Sequence, residues 1–184
     1  MSDFWLTLVA FFAATNPAGV LVTMASAPGA SRERLWAVVT GLVVAGALLL
    51  VVALASDSIL DFLEVEPETF CISAGVVMVT VGIYALLLGP FDYPIERGWR
   101  GALFPLAFPL LAGPAALAAA ISYAEDPGRG ATIAAALIVA GASAAAVLAP
   151  AGRYKLPLTA LTRLTGALLI AIAAGRIVDG IRAV

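Results

Sequence analysis

The sequence predicts an all-α polytopic membrane protein with six transmembrane helices. Of its 184 residues, 62% are hydrophobic and 12% are charged, and the mean hydropathy is +1.06. A soluble domain carries about 25% charged residues, so the composition indicates a chain that lies mostly in lipid. The chain also divides into six apolar segments separated by short polar stretches. Each segment has about the 20 residues that a helix needs to cross the hydrocarbon core.

The six segments follow one another with little room for a soluble domain. The predicted spans are residues 4–27, 35–55, 69–88, 101–124, 129–149 and 158–181. Between the second and third spans lies an acidic stretch, residues 57–68, which predicts a short interfacial turn. Gly89 and Pro90 end the third span, and aromatic and charged residues of the following loop are typical of an interface anchor.

The first and fourth spans each contain a helix breaker near the middle. Asn16-Pro17 interrupts the first span and Gly113-Pro114 the fourth, each about twelve residues, or ~18 Å, from either end of its span. Proline removes a backbone donor and clashes with the preceding turn. At this depth the freed groups are tolerated only against protein or a water-filled cavity. The pattern predicts two discontinuous helices broken near mid-bilayer.

The two halves of the chain, residues 1–89 and 101–184, match each other in order. Asn16-Pro17-Ala18 corresponds to Gly113-Pro114-Ala115, residues 44–47 (VAGA) correspond to 139–142 (VAGA), and Gly75 corresponds to Gly166. Each half has three spans, and because three is odd, the second half should be inverted relative to the first. Two inverted repeats place a substrate site at their interface near the midplane.

The basic residues predict the orientation. They concentrate in the loops after spans 1, 3 and 5, as Arg32, Arg34, Arg97, Arg100, Arg153 and Lys155. The positive-inside rule assigns these loops, including the linker 90–100, to the cytoplasm. Both termini should then lie on the outer side of a bacterial-type inner membrane. No basic run suggests nucleic acid; the expected partners are the lipid bilayer and a small zwitterionic solute, with the oligomeric state left open.

Several kinds of chemistry are disfavoured by residues that the sequence lacks. There is no histidine, which argues against Ser-His and Cys-His catalysis and His-metal sites. The single Cys71 forms neither an internal disulfide nor a Cys-based metal site by itself. No ionisable residue falls at the centre of a span, so no carboxylate proton relay is visible. We therefore expect no enzyme and no cofactor, with coupling to Na⁺ or H⁺ left open.

Two motifs resemble a known family. Asn16-Pro17-Ala18-Gly19 and residues 104–114 (FPLAFPLLAGP) are similar to the N-P-x-G and P-L-A-x-P-L-L-A-G-P-G motifs of the MarC family. The resemblance covers nearly the whole chain. It implies six spans, membership of the LysE-type transporter superfamily, and transport of small neutral amino acids such as glycine and alanine. The chain departs from the family pattern at Val22, where proline is usual, and at Ala115, where glycine is usual.

The broken helices predict how a zwitterion could bind. A half-helix that begins at a break presents amides to a carboxylate, and one that ends there presents carbonyls to an ammonium. The predicted substrate-binding residues are Thr15, Asn16, Pro17, Ala18, Gly19, Ala112, Gly113, Pro114, Ala115 and Ala116. Ser73 and Tyr84 are candidate cavity-lining residues. Pro105 and Pro109 are expected to shape span 4, and Arg176 to pair with Asp179 one turn away.

The sequence thus predicts a transporter of small neutral amino acids that works by alternating access at a midplane site. Two alternatives stay open. One is export of another small metabolite or its passive conduction, and the other is a membrane scaffold that transports nothing.

Overall fold

The computed structural model describes residues 2–25, 31–96, 98–124, 128–148 and 155–184, and every regular element among them is helical. The helices are α1 (Ser2–Thr15), α2 (Pro17–Met24), α3 (Ser31–Leu54), α4 (Ser56–Leu63), α5 (Pro67–Leu88), α6 (Trp99–Gly101), α7 (Pro114–Ser122), α8 (Arg129–Val147) and α9 (Lys155–Ala183). A wide-turn segment, Ala102–Leu111, connects α6 to the second break. Parts of the predicted turns at 26–30, 125–127 and 149–154, and Arg97, lie outside the described residues.

The helices confirm a six-span membrane protein. Five stretches in the described part of the chain are long and apolar enough to cross a bilayer: Asp3–Met24, Arg32–Leu54, Pro67–Leu88, Arg129–Val147 and Pro157–Ala183. The sixth span is a bent pair, Trp99–Leu111 followed by Pro114–Ser122. Large apolar side chains on these spans are exposed, as expected for lipid contact; Val43, Leu87 and Leu164 are each about two-thirds exposed. The inverted arrangement of the halves stays a prediction.

Both predicted breaks are present, but they differ in size. At the first, one residue interrupts the helix: Asn16 adopts left-handed backbone angles, φ 51° and ψ 69°, between α1 and α2. At the second, the two arms bend by 52°. The wide-turn segment before it contains two extended residues, Phe104 and Phe108, each followed by a cis peptide bond to proline. Span 4 therefore carries most of the irregular backbone, which fits its three prolines.

The acidic stretch forms a helix rather than the turn predicted from sequence. α4 has two turns and ends at Leu63, Glu64 follows it with left-handed angles, and α5 then begins with Pro67 at its first position. Leu60 is buried while Phe62 is 87% exposed. α4 mixes these apolar residues with the acidic Asp57 and Asp61, a composition that suits a helix at the membrane interface. The predicted turn was wrong, and the interfacial location stays a prediction.

Small residues let the spans approach one another closely. Alanines dominate the buried core, and α5 and α9 pack along most of their length. A Cβ added at Gly82 would lie 2.9 Å from the Gly166 carbonyl oxygen, and one added at Gly166 would lie 2.8 Å from that of Gly82. Close packing of small residues is a main source of helix association in lipid. We infer that α5 and α9 form one tightly packed pair, while α3 and α8 pack on each other in another part of the bundle.

Candidate functional site

A cavity of ≈ 280 Å³ lies between the two breaks and is called here the central cavity. Its wall combines the end of α1, the start of α2 and α7, part of α5, and the loop that follows α5. The lining residues are Ala13, Ala14, Thr15, Asn16, Gly19, Val20, Thr80, Val81, Tyr84, Ala85, Gly89, Pro90, Phe91, Tyr93, Pro109, Leu110, Gly113, Pro114, Ala115 and Leu169. Ligand pockets are ~300–1,000 Å³ as a rule, so this cavity suits a small solute.

The structure brings together most of the candidate site residues named from the sequence. Those that line the central cavity are Thr15, Asn16, Gly19, Tyr84, Gly113, Pro114 and Ala115. Pro17, Ala18, Ala112 and Ala116 belong to the same two breaks but are not among the lining residues. Ser73 is exposed on α5, where its hydroxyl donates to the Thr69 carbonyl, and it lies away from the cavity.

The side chain of Asn16 is occupied by the protein itself. Its Oδ1 accepts from the Gly19 amide at 3.1 Å and caps α2. Its Nδ2 donates to the Thr162 carbonyl on α9 at 3.4 Å, which ties the break to the last span. Asparagine is among the few residues that tolerate left-handed angles and is also a strong N-cap. Asn16 thus stabilises the break, and both polar atoms of its side chain already have protein partners.

The end of α1 presents carbonyl groups at the cavity. Pro17 has no N–H to donate to the Ala13 carbonyl, which would be its partner in a continuous helix. Gly19 donates to the Asn16 side chain instead of to the Thr15 carbonyl. Ala13, Ala14 and Thr15 all line the cavity. This side of the site can therefore receive a cation or an ammonium group.

The start of α7 presents amide groups instead. Gly113 precedes it in an extended conformation and provides no side-chain cap, and Pro114 occupies the first helical position. The Leu117 amide donates to the Gly113 carbonyl, so the amides of Ala115 and Ala116 are the ones left at the first turn. Ala115 lines the cavity. An uncapped helix N-terminus of this kind favours a carboxylate.

Aromatic rings close the end of the cavity that faces the central loop. Phe91 stacks on Tyr84 with ring centroids 4.2 Å apart and on Tyr93 at 5.5 Å, and Tyr93 meets Phe104 edge to face at 5.4 Å. The Thr23 hydroxyl donates to the Phe91 carbonyl at 2.8 Å, which holds the loop against α2. We call these four rings the aromatic lid; Tyr84, Phe91 and Tyr93 line the cavity, and Phe104 packs behind Tyr93.

The residues that line the cavity include no Asp, Glu, Lys or Arg. Burial raises the pKa of Tyr93 above its usual range, with a smaller contribution from Tyr84, so its phenol stays neutral. No cluster of three or more acidic, cysteine or histidine side chains suited to a metal occurs among the described residues. With neutral walls and opposite helix ends, the cavity can accept a solute with no net charge more readily than an ion.

Sequence reasoning did not assign the lid residues Phe91 and Tyr93 to the site. The sequence shows them as a pair of aromatics just after Gly89-Pro90, and an interface anchor has the same appearance. Gly89 has φ 85° and ends α5, so the loop turns back over the cavity rather than out along the membrane surface. Tyr84, two turns before Phe91, was already a candidate cavity residue. An aromatic so close in sequence is the signal that could have connected Phe91 and Tyr93 to the cavity.

The predicted Arg176–Asp179 ion pair is absent from the described residues, and that prediction was wrong. The Arg176 guanidinium instead donates to Ser122 and to the Cys71 Sγ, and lies over the Tyr123 ring at 4.3 Å. Asp179 is exposed on the same helix. The reason lies in the tertiary structure, because Arg176 bonds to Cys71 of α5 and Ser122 of α7. The spacing of residues along α9 alone does not show these partners.

Comparison with known proteins agrees with this architecture. The family model described as "MarC family integral membrane protein" matches residues 1–184. A UPF0056 membrane protein of Methanocaldococcus jannaschii is 33% identical, covering 97% of this chain and 96% of its own. The UPF0056 inner membrane protein YhgN of Escherichia coli K12 is 28% identical, covering 82% and 81%.

A UPF0056 membrane protein of Buchnera aphidicola is 26% identical, covering 100% of this chain and 98% of its own. No solved structure matches the chain at a significant level. The match over the full length, together with the helical spans described above, identifies the class. This multi-pass integral membrane protein belongs to the MarC family.

Proposed function

We propose that this protein transports small neutral amino acids of the glycine and alanine class by alternating access at the central cavity. The observation that carries the proposal is that one cavity joins the end of α1 to the start of α7, residues about a hundred positions apart in the chain. Discontinuous helices that meet at mid-bilayer are a recurring way to build a carrier site. The proposal includes no catalytic step and no cofactor.

The zwitterion fits the two ends of the cavity. Its carboxylate would lie at the amide of Ala115, and its ammonium near the carbonyls of Ala13 and Thr15. The methyl or hydrogen of alanine or glycine would lie against the apolar wall. Neutral walls favour a substrate whose charges cancel, since an isolated charge is costly to bury.

The cavity also suggests which side of the membrane it faces. Its wall includes Gly89, Phe91 and Tyr93 of the central loop, so it reaches towards the end of the bundle that carries the basic loops. The positive-inside rule assigns that end to the cytoplasm and both termini to the outside. We propose this orientation in a bacterial-type inner membrane, with the aromatic lid as the inner closure.

A second candidate is export of a less polar metabolite. The aromatic lid and the aliphatic residues around it form a large part of the wall, and such a wall also suits an apolar solute. The remaining alternative, a scaffold, predicts no solute flux at all. One assay distinguishes these outcomes.

The test is counterflow of labelled alanine and glycine in proteoliposomes, with Na⁺ or proton gradients imposed in turn. Thr80→Phe is the site variant, since Thr80 lies at an exposed part of the cavity wall and a phenyl ring there would fill it. Val76→Phe is the matched control, one turn earlier on the same exposed face of α5 and outside the wall. We expect saturable exchange in the wild type and in Val76→Phe, and at least a tenfold loss in Thr80→Phe.

Saturable exchange of a different small metabolite, with none for amino acids, would favour the second candidate. The scaffold would be favoured by the absence of flux for every solute tried. Equal loss in both phenylalanine variants would argue against the central cavity as the site.

A further inference from the structure

A second cavity, of ≈ 240 Å³, lies at the opposite end of the bundle from the aromatic lid. It is called here the Arg176 cavity. Its lining residues are Leu60, Pro67, Glu68, Phe70, Cys71, Ile121, Ser122, Arg176, Asp179, Gly180 and Ala183. Cys71 is nine residues before Thr80 of the central cavity on α5, a rise of ~14 Å along the helix. The two cavities are therefore separate along the bundle.

The guanidinium of Arg176 is held by neutral groups. Its Nε and Nη2 donate to the Ser122 hydroxyl at 3.1 and 2.8 Å, and Nη2 also contacts the Cys71 Sγ at 3.0 Å. The Tyr123 ring packs against it, and the hydroxyl of this buried tyrosine has no hydrogen-bond partner among the described residues. The described residues supply no carboxylate within ion-pair distance of Arg176.

An arginine inside a membrane bundle is costly unless its charge is compensated, and such residues usually mark a solute pathway. The hydrogen bonds that Arg176 donates to Ser122 and Cys71 orient the guanidinium, but these acceptors bring no negative charge. The side chain is part of the cavity wall, so a carboxylate entering the cavity could reach it. Guanidinium groups match carboxylates in geometry and charge better than any other side chain.

Two carboxylates stand at the same cavity. Glu68, from the first turn of α5, and Asp179, one turn after Arg176 on α9, both line it. A simple anion would be attracted by Arg176 and repelled by these two groups. A solute that carries a carboxylate and an ammonium satisfies both signs at once, provided that it is small enough for the cavity.

We propose that the Arg176 cavity is a second, outer binding site for a small zwitterion. The carboxylate of the solute binds Arg176, and its ammonium faces Asp179 and Glu68. The site is distinct from the central cavity and rests on its own charges, so it does not require that the central cavity be the transport site. In the proposed orientation it would be the first site that a solute meets from outside.

Cys71 provides a built-in reporter because it is the single cysteine of the chain and lines this cavity. The experiment measures how fast a small methanethiosulfonate reagent modifies Cys71 in the purified full-length protein. We expect alanine to slow the reaction at least fivefold. Propionate and ethylamine, which carry one charge each, should have little effect at the same concentration and ionic strength.

Four variants separate the possible causes. Arg176→Gln should abolish protection by alanine, while Arg163→Gln, an exposed arginine on the same helix, should retain it. Asp179→Asn replaces an exposed carboxylate, so the fold is expected to survive, and propionate should then begin to protect. Thr80→Phe, which fills the central cavity, should leave protection intact.

Equal protection by alanine and propionate in the wild type would overturn the proposal, since Asp179 and Glu68 would then not favour a ligand that carries an ammonium group. Protection that survives Arg176→Gln, or that disappears in Thr80→Phe, would place the ligand elsewhere. A thiol that alanine never protects, or that never reacts, would make Arg176 a structural clamp between α9, α7 and α5. Failure of alanine counterflow with protection intact would instead count against the central cavity alone.

Discussion

The two helix breaks that meet at the central cavity are similar in sequence and different in what they leave exposed. At the first, the Asn16 side chain caps α2 by accepting from Gly19, and it also donates to Thr162. Only this one residue departs from the helical conformation. At the second, Gly113 supplies no side chain, and the arms bend by 52°. The comparison teaches that a proline motif does not by itself decide whether backbone groups are free. The residue before the proline decides it.

The difference assigns opposite roles to the two breaks. The capped start of α2 has few amides to offer, so the first break contributes mainly the carbonyls at the end of α1. The uncapped start of α7 contributes amides. If this is correct, substitutions at matched positions of the two breaks should have unequal effects.

The largest difference is expected between the two glycines. A Cβ at Gly113 would lie 2.4 Å from the Pro109 carbonyl oxygen, a backbone atom that cannot move aside easily. A Cβ at Gly19 would meet the Asn16 side chain at 3.3 Å, which can shift by a few tenths of an ångström. Gly113→Ala should cost roughly 3 kcal/mol or more and Gly19→Ala about 1 kcal/mol. Thermal unfolding in detergent measures both, and equal losses would contradict the comparison.

The next largest effect is expected for Asn16 itself. Asn16→Leu removes the cap, at about 1 kcal/mol, and forces a bulky residue into left-handed angles, at roughly a further 1–2 kcal/mol. Asn16→Gly tolerates those angles and should lose much less. The same unfolding measurement applies, with Asn16→Gly as the matched control. A leucine variant as stable as the glycine variant would mean that the backbone angles at this break are unimportant.

A smaller effect, on transport rather than on stability, is expected when Ala115 or Ala18 is changed to glycine. Both are the second residue of a half-helix, so both variants should lose up to ~1 kcal/mol of helix propensity. Only Ala115 lines the cavity. Ala115→Gly should therefore change the KM for alanine counterflow several-fold, while Ala18→Gly leaves it near the wild-type value. Equal changes in KM would remove Ala115 from the site.

The smallest effect concerns pH and lies away from both breaks. The hydrogen bond from Arg129 holds the pKa of Asp57 below its usual value, and these two residues join α4 to α8. Since the pKa is lower in the folded protein, the stabilisation is present above the unfolded pKa and is lost as the pH falls through the folded value. Asp57→Asn should flatten the acid side of the stability profile and change little at pH 7. A profile that stays as steep in this variant would assign the acid sensitivity to other groups.

Sequence and structure agree best where the signal is local. The six spans and both breaks follow from runs of apolar residues and from prolines, which act on their own helix wherever it packs. The turn predicted at 57–68 was wrong because α4 is stabilised by burying Leu60 against the bundle. The Arg176–Asp179 pair was wrong because Ser122 and Cys71 come from other helices. The second hydrogen bond of Asn16, from Nδ2 to the Thr162 carbonyl, likewise joins residues far apart in the chain.

By itself, the sequence determined that this protein lies in a membrane, that it crosses six times, and that two spans are broken near their centres. Hydrophobicity over about 20 residues and the missing N–H of proline are enough for that, since both act within a segment. Only the tertiary structure decided that the breaks share one cavity, that the aromatic lid gathers at one end of it, and that Arg176 faces a second cavity. Those arrangements depend on close packing between helices distant in the chain, which no local pattern specifies.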